Sequence, residues 1–360
     1  MPKLIKQDGR FAFLVDGKPF LILGAQINNS SAWPASLPAV WPAIEAMHAN
    51  TVEAPVYWEQ MESQPGKFDF TNVDELVKQA RTHHVYLVLL WFGTWKNGKM
   101  HYVPDWIKTN IARFPRVIDP HGDPVDVLSP NAPANLEADK RAFVALMRYL
   151  REIDGDQHTT LLVQVENESG SLGSTRDYSP AAEKQFQANV PADLVKARHK
   201  QPGTWKQVFG ADADETFAAY SVSHYINEIA AAGKAEFPLP MYGNVWLKYP
   251  TGSVPGLHYP SGGPTHNMLD VWKASAPEID MIGPDIYTDD SEFYRRALAH
   301  TIAPTIPAGF PRPVATMRTG STFSIRWAKA LSGSRPLASI TRDGPSPTKN
   351  RQRYIARTTP

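Results

Sequence analysis

Six short apolar runs, rich in β-branched and aromatic residues, recur through the body of the chain: Phe20 to Gln26, Thr51 to Trp58, Val85 to Trp95, Thr160 to Glu168, Leu239 to Trp246 and Asp280 to Tyr287. They stand roughly 30 to 40 residues or more apart, and helical patterns fill the gaps at 37–49, 72–84, 137–152 and 214–233. The second pattern opens on an Asp69/Thr71 type of cap and sets Val73, Leu76, Val77 and Ala80 on one face. Strands alternating with crossover helices predict a parallel sheet. Continuous apolar strands that each end in polar or aromatic residues fit a (β/α)8 TIM barrel. An open doubly wound sheet would carry a Gly-rich phosphate loop after its first strand, and neither G-x-G-x-x-G nor a P-loop occurs here.

Composition narrows the chemistry. With no cysteine, disulfides, thiolate nucleophiles and zinc–thiolate sites are excluded. No run of about 18 apolar residues exists, and Met1 to Asp16 lacks an apolar stretch with a small-residue cleavage site. The chain as written therefore reads as cytoplasmic with no membrane contact, or as periplasmic or secreted if a leader is missing. His83-His84 closes a helix and reads as a surface pair rather than metal ligands, and Ser261-Gly262-Gly263-Pro264 as a turn or a loop over the site rather than a phosphate cradle. Trp33, Trp41 and Trp272 read as core or loop packing.

The formal net charge of +1 conceals an asymmetry. Residues 301–360 hold ten Lys/Arg against the single acid Asp343, whereas residues 1–300 hold 27 basic against 35 acidic residues. The sequence thus divides into a barrel at 1–296 and a basic tail at 297–360, rich in Pro, Ser, Thr and Arg, without sustained periodicity and expected to be disordered. A tail of this kind can bind nucleic acid, but the acidic body argues against that partner.

Barrel sites form at the C-terminal ends of the strands, so the last residues of each run are the candidates: Gln26, Tyr57, Trp58, Trp91, Trp95, Asn167, Glu168, Asn244 and Tyr287. Amides and carboxylates that bond hydroxyls, beside aromatic faces that lie against a pyranose ring, describe a carbohydrate site. The most specific element is Leu161-Leu162-Val163-Gln164-Val165-Glu166-Asn167-Glu168, an apolar strand ending in two carboxylates separated by an amide. Alternation along a strand puts Glu166 and Glu168 on one face unless the strand end twists. An acid that protonates a leaving oxygen, beside an amide that holds the sugar's 2-hydroxyl, is what glycoside cleavage needs.

Asn167-Glu168 after an apolar strand, with Asn50-Thr51-Val52, Pro55, Trp58 and Pro65-Gly66-Lys67-Phe68-Asp69-Phe70, resembles the retaining β-galactosidases of glycoside hydrolase family 35 and the barrel clan that also holds family 42. The resemblance covers roughly residues 10–296. It implies Glu168 as general acid/base, a second Glu at the end of the seventh strand as nucleophile, Glu166 as a neighbour that tunes the site, and terminal β-galactosides as substrates, with no cofactor and no metal.

The sequence departs from that pattern where the seventh strand should follow. No Glu occurs after Glu292, so the chain as written lacks the nucleophile, and strands seven and eight are expected to be missing or scrambled. A change of reading frame between about Arg296 and Pro304 accounts for this. Gly309 to Val314 can be encoded GGT TTC CCG AGA CCG GTN, which from the third base reads F-P-E-T-G, like the family's nucleophile strand. The same offset permits D-N-P from Pro304 to Pro307, and L-G-K-G-A-I-G-F-S-P-F-G-I-D-Y-T from Arg326 to Arg342. Two readings follow for the chain as written: a galactosidase barrel left inactive, or a sugar-binding barrel without catalysis.

Overall fold

The computed structural model describes residues 1–7, 10–248, 252–286 and 292, with short strands at 312–313, 315–316 and 324–325. Its centre is a parallel sheet of β1 (Gly24–Gln26), β2 (Thr51–Tyr57), β3 (Tyr86–Lys96), β4 (Thr160–Asn167), β5 (Met241–Trp246), β6 (Met281–Ile286) and β7 (Arg312–Pro313). Neighbours in space are neighbours in sequence throughout, and every pair is parallel. Crossovers of one hand then lie on one face and the sheet curls, whereas a doubly wound sheet would reverse its strand order. The described strands and helices form an α/β barrel-like fold.

The expected strands are found with small shifts at their ends, except that the first is confined to Gly24–Gln26 and leaves Leu21 exposed. The crossover helices are α1 (Leu37–Ala46), α2 (Thr71–Thr82), α3 (Pro133–Asp154), α4 (Ala213–Glu236) and α5 (Leu269–Ser275), the last too short to show a period in the sequence. Helix α2 buries Val73, Leu76, Val77 and Ala80 as read, and Asp69 accepts the Thr71 N–H at 2.9 Å. Burial of each such Val or Leu side chain stabilises by about 1.5–3 kcal/mol, so this face fixes the helix more firmly than its cap does.

At the seventh position, where a missing or scrambled strand is expected, Arg312 and Pro313 pair in parallel register with Asp285 and Ile286. The eighth strand, the boundary at 296 and most of the 297–360 tail lie outside the described residues. No helix among the described residues is long and apolar enough to cross a membrane.

The strand that carries the candidate acid is pinned at its start. Asp154, the last residue of α3 and fully buried, accepts the Thr159 and Thr160 N–H groups at 2.9 and 2.6 Å and pairs with Arg81 at 2.7 Å. Removing the carboxylate strands two buried amide donors and one cation. Asp154→Ala should therefore lower stability by about 3 kcal/mol, the lower end for a buried pair because Arg81 is partly solvated. The check is a lower urea midpoint at unchanged slope.

Candidate active site

The end of β4 is not a regular strand. Its ladder with β3 runs in step from Val88 opposite Leu162 to Trp91 opposite Val165 and resumes only at Lys96 opposite Asn167, so Phe92 to Trp95 stand against Glu166 alone. This bulge bends β3 and frees the parity of the residues beyond it. Glu166 and Glu168 both adopt left-handed backbone, φ 63° and 45°, which costs a side chain of this kind about 1–3 kcal/mol and persists only where the surroundings impose it. The strand end thus twists, and the two acids do not share a face. Glu166 turns toward the helices behind the sheet and accepts the Thr94 and Trp95 N–H groups at 3.1 and 2.7 Å.

Asn167 and Glu168 are held by three strands. The Lys96 ammonium, buried and 5.0 Å from the centre of the Phe92 ring, donates to Asn167 Oδ1 at 2.8 Å and to the Asn97 amide oxygen. An ammonium can only donate, so Asn167 turns its oxygen to Lys96 and keeps its NH2 for other partners. The Glu168 N–H donates to Asn244 Oδ1 at 2.8 Å, and Asn244 donates to Asp285 Oδ2 at 2.7 Å, which ties the ends of β4, β5 and β6 together. Glu168 itself is 6% exposed.

Beyond Glu168 the chain is clamped. Ser171 and Ser261 exchange backbone hydrogen bonds at 2.8 and 2.9 Å, and Trp272 donates to the Gly262 carbonyl at 3.1 Å. Gly170, at φ 116°, leaves no room for a Cβ beside the Ser261 carbonyl. The Ser261-Gly262-Gly263-Pro264 run is therefore a loop laid over the segment that follows the acid, as read from the sequence.

The remaining candidates separate into two groups. Gln26 and Trp95 lie buried at the ends of β1 and β3, and Gln26 Oε1 and Trp95 Nε1 find no hydrogen-bond partner among the described residues. Buried polar atoms left open at strand ends suit ligand hydroxyls. Tyr57 ends β2 in an aromatic cluster with Trp33, Phe92 and Tyr102; its hydroxyl accepts the Ala32 N–H at 3.4 Å, and burial pushes the phenol well above its usual range. Trp58 and Trp91 are in the packed interior instead. Trp58 donates to Glu62 at 2.9 Å, and Trp91 donates to Asp139 at 2.9 Å while packing on Phe143. Tyr287 lies outside the described residues.

Trp41 and Trp272 are core residues, whereas Trp33 is 43% exposed on the loop after β1. His83 stacks on Trp41 and pairs with Glu45 at 2.6 Å. Sequence reading missed Lys96 and Asp139. Lys96 follows Trp95 directly, but only the bulge carries it to Asn167; Asp139 is an isolated acid on the apolar face of α3, with no local signal of its partners.

The chain is similar to the crystal structure of a beta-galactosidase from Bacillus circulans sp. alkalophilus, with a TM-score of 0.54 and 17% identity over 77% of this chain and 42% of that one. It is also similar to a beta-galactosidase from the psychrophilic Marinomonas ef1, with a TM-score of 0.50 and 11% identity over 74% of this chain and 41% of that one. The chain thus spans less than half the length of these two proteins. No family model and no curated protein matches the sequence. Identities this low carry the barrel fold, and the chemistry rests on the site.

Proposed function

We propose that the chain is the barrel of a retaining glycoside hydrolase acting on terminal β-galactosides, with Glu168 as general acid/base. The observation that carries the reading is the strand end itself: an amide and a carboxyl in succession, the amide oriented by a buried ammonium and the carboxyl's backbone fixed through Asn244 to Asp285. The Asn167 NH2 would donate to the sugar's 2-hydroxyl. In the first step a second carboxylate attacks the anomeric carbon while Glu168 delivers its proton to the departing glycosidic oxygen, leaving a glycosyl ester. In the second, Glu168 takes a proton from water, which attacks the anomeric carbon and releases the carboxylate.

That second carboxylate is, on this reading, the Glu encoded across the codons of Pro311 and Arg312 in the alternative frame. Its support is twofold: the F-P-E-T-G reading itself, and the pairing of Arg312 and Pro313 with the C-terminal end of β6. The absence of any Glu after Glu292 favours a second reading for the chain as written, a barrel that binds galactosides without cleaving them.

Both readings require a sugar site. Calorimetric titration of the 360-residue chain with a non-hydrolysable thio-β-galactoside should show saturable binding, weakened about tenfold by Asn167→Ala, the worth of one good hydrogen bond. Absence of binding, or indifference to Asn167→Ala, would remove the basis for the site.

A further inference from the structure

Behind the site, on the side of the sheet covered by α3 and α4, two carboxyl groups meet in the interior. Glu166 is 1% exposed and Asp139 is fully buried. From β3, the Trp91 indole N–H donates to Asp139 Oδ1 at 2.9 Å and the Thr94 hydroxyl to Asp139 Oδ2 at 2.6 Å. The Thr94 N–H is shared between Asp139 Oδ2 and Glu166 Oε1, both at 3.1 Å, and the Trp95 N–H goes to Glu166 Oε2 at 2.7 Å. From α4, the Tyr225 hydroxyl meets the Thr94 hydroxyl at 2.8 Å. None of these groups is a cation, and no Lys, Arg or His among the described residues forms an ion pair with either acid.

The acids also engage each other. The Thr94 N–H serves both carboxyls, and a Cβ added to Gly93 would lie 2.5 Å from Glu166 Oε1 and 2.8 Å from Asp139 Oδ1, so both oxygens crowd one point. Two buried like charges that converge on one donor without a cation are too costly to coexist, so the pair takes up a proton. Asp139 draws three protein donors and is the better-solvated anion, while Glu166 draws two.

We infer that Glu166 and Asp139 hold one proton between them, carried by Glu166, and that this pair is a positioning device that fixes the β3 bulge and, through it, the contact of Lys96 with Asn167. Burial, and next the Asp139 charge, raise the Glu166 carboxyl well above its ordinary range. That the bulge serves a sugar site rests on the proposed function; the proton count does not.

The proton makes folding pH-dependent in a defined direction. Below the ordinary Glu value, about 4.3, folded and unfolded chains are both protonated at Glu166. Above it the unfolded chain ionises while the folded one keeps its proton, so this group's contribution to stability falls as pH rises toward the raised folded value. The unfolding equilibrium constant gains about tenfold per pH unit from this site.

The test compares urea unfolding of the full chain and of Glu166→Gln between pH 5 and 8, with infrared spectra of both at pH 7. Gln is neutral, can donate to Asp139 and can accept from Trp95. The wild type should show about tenfold more change in its unfolding constant per pH unit than the variant, and a protonated-carboxyl carbonyl band that Glu166→Gln abolishes, Asp139→Asn shifts and Glu168→Gln retains. A pH-independent offset between wild type and Glu166→Gln would leave a packing role only and overturn the inference. The wild-type spectrum decides the matter even if the variants do not fold, since absence of the band refutes the shared proton. Neither readout depends on sugar cleavage, so failure here and failure of the glycosidase reading are separable.

Discussion

A gene whose last part is moved into the alternative frame is expected to yield a chain that hydrolyses nitrophenyl β-galactoside, while the 360-residue chain binds galactosides and turns over next to nothing. The reason is chemical: retention needs a carboxylate about 5–5.5 Å from the acid, on the opposite side of the anomeric carbon, to form and release the glycosyl ester. After Glu292 the chain as written has only Asp343 as an acid, and Asp285 is engaged by Asn244. Losing one member of a nucleophile–acid unit typically costs on the order of 10⁴–10⁶-fold in rate. The frame change should restore that factor in kcat/KM, and converting the recovered Glu to Ala should remove it again. Equal activity in the two chains would refute the frame account; no activity in either would leave the binding-only barrel.

The order of strands and helices was legible because parallel strands buried on both faces announce themselves as continuous apolar runs, and α2 and α3 carry clear amphipathic periods. That an apolar strand ends at Asn167-Glu168 was legible for the same reason, since the run turns polar there. What alternation could not supply was the direction of side chains near the bulge. Parity counted from Trp91 fails once Phe92 to Trp95 face a single residue, and left-handed backbone at Glu166 sends its carboxyl behind the sheet while Glu168 stays with the strand ends. Asp139 and Glu166 meet across 27 positions of sequence, with nothing local in either to announce the other. Trp58 and Trp91 illustrate the same limit, because a Trp at a strand end fits the core or the mouth equally well until its indole N–H finds Glu62 or Asp139.

Glu168→Gln, made in the alternative-frame chain, should separate substrates by leaving group. Gln keeps the shape of a side chain whose backbone is held by Asn244 and clamped by the Ser171–Ser261 contact, so folding and ground-state binding should change little. It cannot deliver a proton. A sugar or alkyl leaving group needs that proton, and kcat/KM should fall on the order of 10²–10⁴-fold, about 3–5 kcal/mol of transition-state stabilisation. Nitrophenolate departs unprotonated, so its first step should be nearly spared. Its second step loses the base that activates water, so the glycosyl ester should accumulate and kcat and KM should fall together. Equal losses in kcat/KM on both substrates would exclude Glu168 as the acid. Glu166→Gln is the internal control, since a carboxyl behind the sheet delivers no proton to the sugar and should not distinguish the two leaving groups.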